Sequence, residues 1–390
     1  LRRDAPISWH PPLETPGLRR RNEEAGFWAV TRVADIAFVS RHPEMFSSEI
    51  GQVSVRPAPF HLDPNMLVVD PPRHTDLRRI VGAAFAPTAI AGIEKSINRN
   101  AKRIVMRAAL QESFDFVSEV AAPLPLRTIA GLIGIPASQE DTFVEAADAH
   151  VRGGIPARLP PGVSRERYFA DGTAYLAELF ASVAEWKRQH PAADLMTRLV
   201  EARIDGERLS DDAIRSTMML LIVAGDDTTK QAISLSVLGL DRFAEQRTWL
   251  LGNDDGAGFD ARFDSAFDEL VRFASPVISF ARTAVQDVEL AGKRIVAGDK
   301  VALFYCSGNR DEVEFPDPSN LDLRRPASAQ VGFGGGGVHF CLGSRLARAQ
   351  VRAVLRETYA RLPGLELGSP EWGFGESVHS VVSLPVTRRR

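Results

Sequence analysis

Gly332-Phe333-Gly334-Gly335-Gly336-Gly337-Val338-His339-Phe340-Cys341-Leu342-Gly343 is the stretch on which the reading of this 390-residue chain turns. Glycine tolerates positive φ and close backbone approach, so the run predicts a tight loop. The loop delivers one cysteine to the start of a helix expected over Leu342–Arg361. There, backbone N–H groups and the helix dipole favour a thiolate. Three chemistries use such a loop. A phosphate cradle needs Lys-Ser/Thr after the glycines, and Leu342-Gly343 follows instead. A cysteine nucleophile needs an activating histidine, for which His339 is near in sequence; that reading is a heme-free Cys341/His339 hydrolase. A single axial ligand to heme iron needs only this cysteine, the tight loop and a flat apolar neighbour such as Phe333. A glycine turn around a buried structural cysteine is the plain alternative.

Around this loop the composition is that of a globular protein, with 44% apolar and 25% charged residues. The net charge of −3 weighs against nucleic-acid binding. Cys306 and Cys341 are the only cysteines, too few for a four-thiolate zinc site. A long chain so poor in cysteine reads as reduced and cytoplasmic. The longest apolar run, Met218 to Gly225, falls far short of the roughly 18 residues of a spanning helix, so no membrane anchor is expected. The first residues, Leu1-Arg2-Arg3-Asp4-Ala5-Pro6, lack both Met and the apolar core of a signal peptide. A leading segment is therefore expected to precede them.

The organisation reads as one mostly helical unit over residues 1–390, without repeats. Phe27 to Thr31 is strand-like and Val33 to Ser40 reads as a short helix. The proline-rich stretch Gly51 to Pro64 reads as a long functional loop. Residues 76–191 read as helices broken at Pro123/Pro125, at Pro136 and at Gly153–Pro161, the last a second loop. A long helix is predicted over Ser210–Ala244, with Ser210 as N-cap and Asp211 and Asp212 in its first turn. Its middle, Met218 to Ala224, is apolar all round and predicted buried on every side. A helix over Phe263–Phe273 ends at Pro276; strands over Thr283–Leu290, Lys293–Val296 and Val301–Cys306 follow, then a meander over Asn309–Pro326.

Three further patterns carry chemistry. In Ala224-Gly225-Asp226-Asp227-Thr228-Thr229, acids and hydroxyls interrupt the apolar middle of the long helix. A threonine there can simply bond back to the carbonyl four residues earlier, but carboxylates after an apolar run are costly without a purpose. Glu269-Leu270-Val271-Arg272 sets an ion pair on one helix face; the similar Glu185/Arg188 reads as solvated. His74 and Arg78 share a face at i,i+4 and could meet an anion.

Gly332 to Arg348 resembles the heme-ligand signature of the cytochrome P450 family, with Gly335, Gly337, His339, Cys341, Gly343, Ala347 and Arg348 in register. The aromatic residue of that signature falls one position early, at Phe333, with Gly334 in its usual place. This is a variant of bacterial members acting on sterols and branched lipids. The resemblance implies a mainly α fold with small β-sheets and a long central helix over heme b. It makes Cys341 the axial iron ligand and Phe333, Gly335, Gly343 and Ala347 its supporting loop. It gives the propionates to His74, Arg78, Arg282 and His339, and proton delivery to Thr228 and Asp227. Ala224 and Gly225 would form the oxygen groove, with Gly225 letting the helix open. Glu269 and Arg272 would be the structural pair; the meander residue that would join them as an arginine is Asn320 here, which leaves the third member of the network open.

The implied activity is a monooxygenase that hydroxylates a hydrophobic small molecule (steroid, terpenoid, branched lipid or aromatic) with O2. Met66, Leu67, Leu221, Val277, Ile278 and Val382 would line its pocket. No flavin or ferredoxin segment is fused, so electrons are expected from a separate ferredoxin and reductase, docking near Arg79, Arg345 and Arg348 of a monomer. A non-catalytic heme ligand sensor and a natural-product tailoring oxidase are the alternatives.

Overall fold

Alternating periodicities in the sequence resolve into helices and short strands. The computed structural model describes residues 1–12, 26–50, 53–55, 64–152, 161–252, 258–326, 329–373 and 377–388. Its helices are α1 (Val33–Arg41), α2 (Arg73–Gly82), α3 (Pro87–Ala108), α4 (Pro123–Ile133), α5 (Glu140–Arg152), α6 (Arg165–Gln189), α7 (Leu195–Glu201), α8 (Asp211–Arg242), α9 (Ala244–Leu251), α10 (Phe259–Ala274), α11 (Tyr305–Gly308) and α12 (Ser344–Arg361). The strands are β1 (Ile7–His10), β2 (Phe27–Val30), β3 (Phe46–Ser47), β4 (Ser113–Asp115), β5 (Arg203–Ile204), β6 (Glu207–Arg208), β7 (Ser279–Ala284), β8 (Val288–Leu290), β9 (Lys293–Ile295), β10 (Lys300–Phe304), β11 (Leu365–Leu367), β12 (Glu371–Gly373), β13 (Ser380–Ser383) and β14 (Pro385–Arg388). The expected class, mainly α with small sheets, is the one found. No single helix among the described residues is long and apolar enough to cross a membrane.

Helix α8 is the axis. Ser210 caps it, its hydroxyl accepting the Ala213 N–H at 3.2 Å, and Asp211 and Asp212 complement the dipole of its first turn. It packs against α4, α5, α6, α9, α10 and α12. Ile214, Met218, Ile222, Ile233, Val237 and Leu240 are buried along it within the main core. Each such side chain contributes roughly 1.5–3 kcal/mol by leaving water.

The largest sheet has the order β1-β2-β10-β7-β3. Strands β2 and β10 run parallel and the other neighbours antiparallel. In it Arg282 stands opposite Val301. A second core of Ile36, Val39, Phe46, Val301, Leu303, Phe315 and Val331 joins α1, the sheet and the entry to the glycine loop.

Several local expectations need correction. Pro123 and Pro125 do not break a helix: they lie in the first turn of α4, where a missing N–H costs nothing. The single strand expected over Thr283–Leu290 is two, β7 and β8. The strand expected to reach Cys306 stops at Phe304, and Tyr305 turns into the short α11. Most of the Gly51–Pro64 loop and nearly all of the Gly153–Pro161 loop lie outside the described residues. Both cysteines are free thiols.

Candidate active site

The glycine loop is held from two sides. Cys341 N–H donates to the Phe333 carbonyl at 2.9 Å, and Arg78 donates to the Phe340 carbonyl at 2.6 Å. Gly335 and Gly337 pack directly on α1. A Cβ at Gly337, which has φ +72°, would come within 2.1 Å of the Ser40 carbonyl oxygen, so no other residue fits. The Phe333 ring lies 5.9 Å from Phe267 and 6.4 Å from Phe340. Gly343 is the N-cap of α12, and its carbonyl accepts from Ala347 N–H at 2.8 Å. The helix start does not by itself produce a thiolate. Burial pushes the Cys341 thiol up, and the Gly343 and Ser344 backbone donors and Arg78 only partly oppose it. A bound cation would deprotonate it outright.

Four basic side chains converge at His339, two residues before the thiol, and one of them, Arg78, also acts on Cys341. His74 is buried, and neither ring nitrogen has a hydrogen-bond partner among the described residues. Its ring centroid is 4.3 Å from that of His339. His339 Nε2 lies 3.1 Å from Ser48 Oγ. Arg282 is buried, donates to the Ala281 carbonyl at 2.8 Å and has no ion pair among the described residues. Arg78 is half-buried, facing with His74 a cavity also lined by Gly337 and Leu342. Burial lowers the pKa of all four groups. His339 is driven down to about 2, by burial first and then by the charges of Arg282, His74 and Arg78. The acid that acts on Arg282 and His74 is Asp70, already engaged by Ser47 Oγ and, at 2.8 Å, by Ser48 N–H. A buried arginine without a carboxylate of its own, beside a second arginine and two histidines that can donate, calls for an anion from outside. A thiol ligand beside them calls for a metal at its centre, and heme with its two propionates fits both demands.

The middle of α8 is not buried on every side. Val223 is 48% exposed and Ala224 is exposed, and Leu220, Asp227 and Thr228 are half-exposed. These positions follow the helical period, so one face of α8 forms the wall of a cleft. Leu221 lies in the core instead. Met66, Leu67, Val277, Ile278 and Val382 are half-buried. The Met66–Leu67 segment is tied to α8 by Asn65, whose amide donates to Ser216 Oγ at 3.3 Å. Thr228 Oγ1 donates to the Ala224 carbonyl at 2.7 Å, leaving lone pairs toward the cleft. Helix α8 runs unbroken through Gly225, whose role here is close approach: a Cβ would meet Ile129 Cδ1 at 2.8 Å. Asp227 is ion-paired with Lys230.

Glu269 and Arg272 form the expected buried pair, at 2.6 and 2.7 Å. A third arm exists. Arg325 Nε donates to Glu269 Oε2 at 3.1 Å, and Asn320 offers its backbone carbonyl to Arg272 at 2.9 Å. Sequence reasoning missed Arg325 because it sought the arginine at Asn320; the signal available was the Arg324-Arg325-Pro326 end of the meander. Of the basic residues assigned to docking, Arg79 and Arg345 are exposed, whereas Arg348 is committed to Asp264, Asp268 and the Phe267 ring. Glu185 and Arg188 pair at 2.9 Å on the surface, as expected.

Residues 263–359 match the family model described as Cytochrome P450. The methyl-branched lipid omega-hydroxylase of Mycobacterium tuberculosis is 40% identical over 394 residues, covering 99% of this chain and 89% of the relative. The steroid C26-monooxygenase of Mycolicibacterium smegmatis is 35% identical, covering 95% and 85%. A Mycobacterium marinum cytochrome P450 in complex with pseudoionone superposes with a TM-score of 0.90 at 44% identity, covering 99% of this chain and 92% of that one. A Bacillus megaterium structure in complex with corticosterone gives 0.83 at 26% identity, covering 99% and 96%.

Proposed function

The chain belongs to the cytochrome P450 family, and we propose that this heme b- and O2-dependent monooxygenase of hydrophobic substrates oxidises the terminal carbon of a methyl-branched aliphatic chain. The observation that carries this reading is the pairing of its relatives. One group is named for the omega position of methyl-branched lipids, the other for C26 of steroids. Both positions end a branched hydrocarbon tail. The cleft face of α8 supports it: Leu220, Val223 and Ala224 are apolar, and Asp227 is the acid of that stripe. Such a wall accepts hydrocarbon, with its polar groups confined to Asp227 and Thr228.

When bound, heme supplies the activation of O2, so that substrate, O2, two electrons and two protons yield alcohol and water. In our reading Cys341 would hold the iron, Arg78 and Arg282 would neutralise the propionates, and His74 and His339 would hydrogen-bond to them as neutral imidazoles. The cleft face of α8 orients the chain end and excludes water. Asp227 takes protons from the solvent side and passes them to Thr228 Oγ1 on the next residue of the same face. General acid–base groups in this role contribute about 10²–10⁴-fold. Electrons come from a separate ferredoxin and its reductase, drawn to Arg79 and Arg345. Reversing the charge of Arg345 should slow reduction and flatten its salt dependence.

Spin-state titration with product analysis tests the substrate class. A methyl-branched fatty acid or a steroid with its full side chain should give a saturable spin-state shift and gain a hydroxyl at the chain end. Tighter binding of aromatics or straight chains, with oxidation elsewhere, would overturn the assignment. Cys341→Ala should abolish the red-shifted Soret band of the reduced CO complex.

A further inference from the structure

We propose that Lys230 is a positioning residue for Asp227, and that Gln231 fastens this pair to strand β13. The inference rests on the reading of Asp227 as proton relay and adds to it the group that holds the relay in place.

Lys230 follows Asp227 by one turn of α8, and Lys230 Nζ contacts Asp227 Oδ1. The lysine side chain is only 3% exposed, the aspartate 25%. An ammonium removed from water to that degree needs a carboxylate, and chains rarely bury lysine otherwise. Gln231 is fully buried, and its amide bridges α8 to β13. Its Oε1 accepts Val381 N–H at 2.8 Å and its Nε2 donates to the Val381 carbonyl at 3.4 Å. The same Nε2 lies 3.4 Å from Asp227 Oδ1. Lysine and glutamine thus converge on one oxygen of the aspartate, leaving Oδ2 for traffic toward the cleft.

The arrangement has a physical purpose. An aspartate on an apolar cleft wall can turn toward water or toward its own backbone. A buried cation one turn away fixes its rotamer and keeps the carboxylate beside Thr228. The amide link ties β13, which carries the half-buried Val382, to the relay. Asp226, fully buried and four residues before Lys230, is the competing carboxylate by helical spacing.

The test uses holoenzyme reduced by a surrogate ferredoxin, comparing Lys230→Met, Lys230→Arg, Asp227→Asn and Asp226→Asn. Lys230→Met should lower kcat about tenfold with little change in KM, raise the share of electrons lost outside product, and alter the solvent deuterium isotope effect. Lys230→Arg should restore most of the turnover. In thermal unfolding, Lys230→Met and Asp227→Asn should be non-additive, a readout independent of turnover. Wild-type turnover and isotope effect in Lys230→Met, beside a slow Asp227→Asn, would overturn the positioning role and leave the relay standing. An unaffected Asp227→Asn would overturn the relay and this proposal with it. Non-additivity with Asp226→Asn alone would assign Lys230 to the other carboxylate and overturn the proposal. If Lys230→Met does not fold, Lys230→Gln, of similar length, carries the same expectations.

Discussion

Two groups of buried charge in this molecule are built in opposite ways. Around Arg272 every donor is used: Nε and one Nη2 hydrogen meet Glu269, and the remaining three meet the carbonyls of Asn309, Pro318 and Asn320. Glu269 in turn accepts from Asp322 N–H at 2.9 Å and from Arg325. Around His339 the balance is lopsided, with Arg282, Arg78 and His74 gathered while the nearest acid is already taken by serines. The first group is complete without any visitor and holds α10 to the meander. The second is complete only when an anion arrives. Burial of charge thus marks two functions, and hydrogen-bond saturation tells them apart.

Breaking the saturated group should have the largest consequence. Arg272→Leu leaves buried Glu269 with Arg325 as its one cation and takes the donor from the Asn309, Pro318 and Asn320 carbonyls, a loss of about 3–5 kcal/mol, and should leave little folded protein in the soluble fraction. Removing the outer arm should cost less: Arg325→Met deletes its bonds to Glu269 Oε2 and, on the exposed side, to the Pro316 carbonyl, about 1.5–3 kcal/mol, readable as a lowered denaturant midpoint at unchanged slope. The lopsided group should behave differently. Arg282→Met should leave yield and far-UV circular dichroism intact, yet speed heme transfer to a scavenging globin about tenfold or more. A fall in yield to match Arg272→Leu would erase the distinction. The surface supplies the weakest contrast. Glu312, paired with Arg2 and Arg3 near the N-terminus, has a carboxyl pKa held down to about 2, chiefly by its bond from Arg2. A depressed carboxylate stabilises the fold above its unfolded pKa and loses that contribution as pH falls through the folded value. Glu312→Gln should therefore shift the neutral-pH unfolding midpoint barely above detection and flatten the acid limb between about pH 4.5 and 2.

What could be read from the sequence was what depends on neighbours along the chain. The Ser210 cap, the glycine loop ahead of Cys341 and the i,i+3 pair Glu269/Arg272 are local patterns, and all three stand where the residues put them. The parallel pairing of β2 with β10 could not be read so, because it joins segments far apart with no shared local signal. The face of α8 was also hidden. Where every residue of a turn is apolar, periodicity cannot say which side sees a cleft; Leu220 and Val223 line it, while Leu221 is buried. The third arm was missed for a related reason: Arg272 bonds the backbone of Asn320, and backbone carbonyls carry no residue-type signal.

The close packing of Gly335 and Gly337 on α1 fixes a late moment in the life of the chain. The cysteine loop closes against residues made some three hundred positions earlier, and the basic socket draws on residues 74, 78, 282 and 339. A nascent chain emerging from the ribosome therefore owns no complete socket until Cys341 has been translated. Acquisition of the pigment then waits on the synthesis of Cys341, and translation products truncated before it should emerge unpigmented.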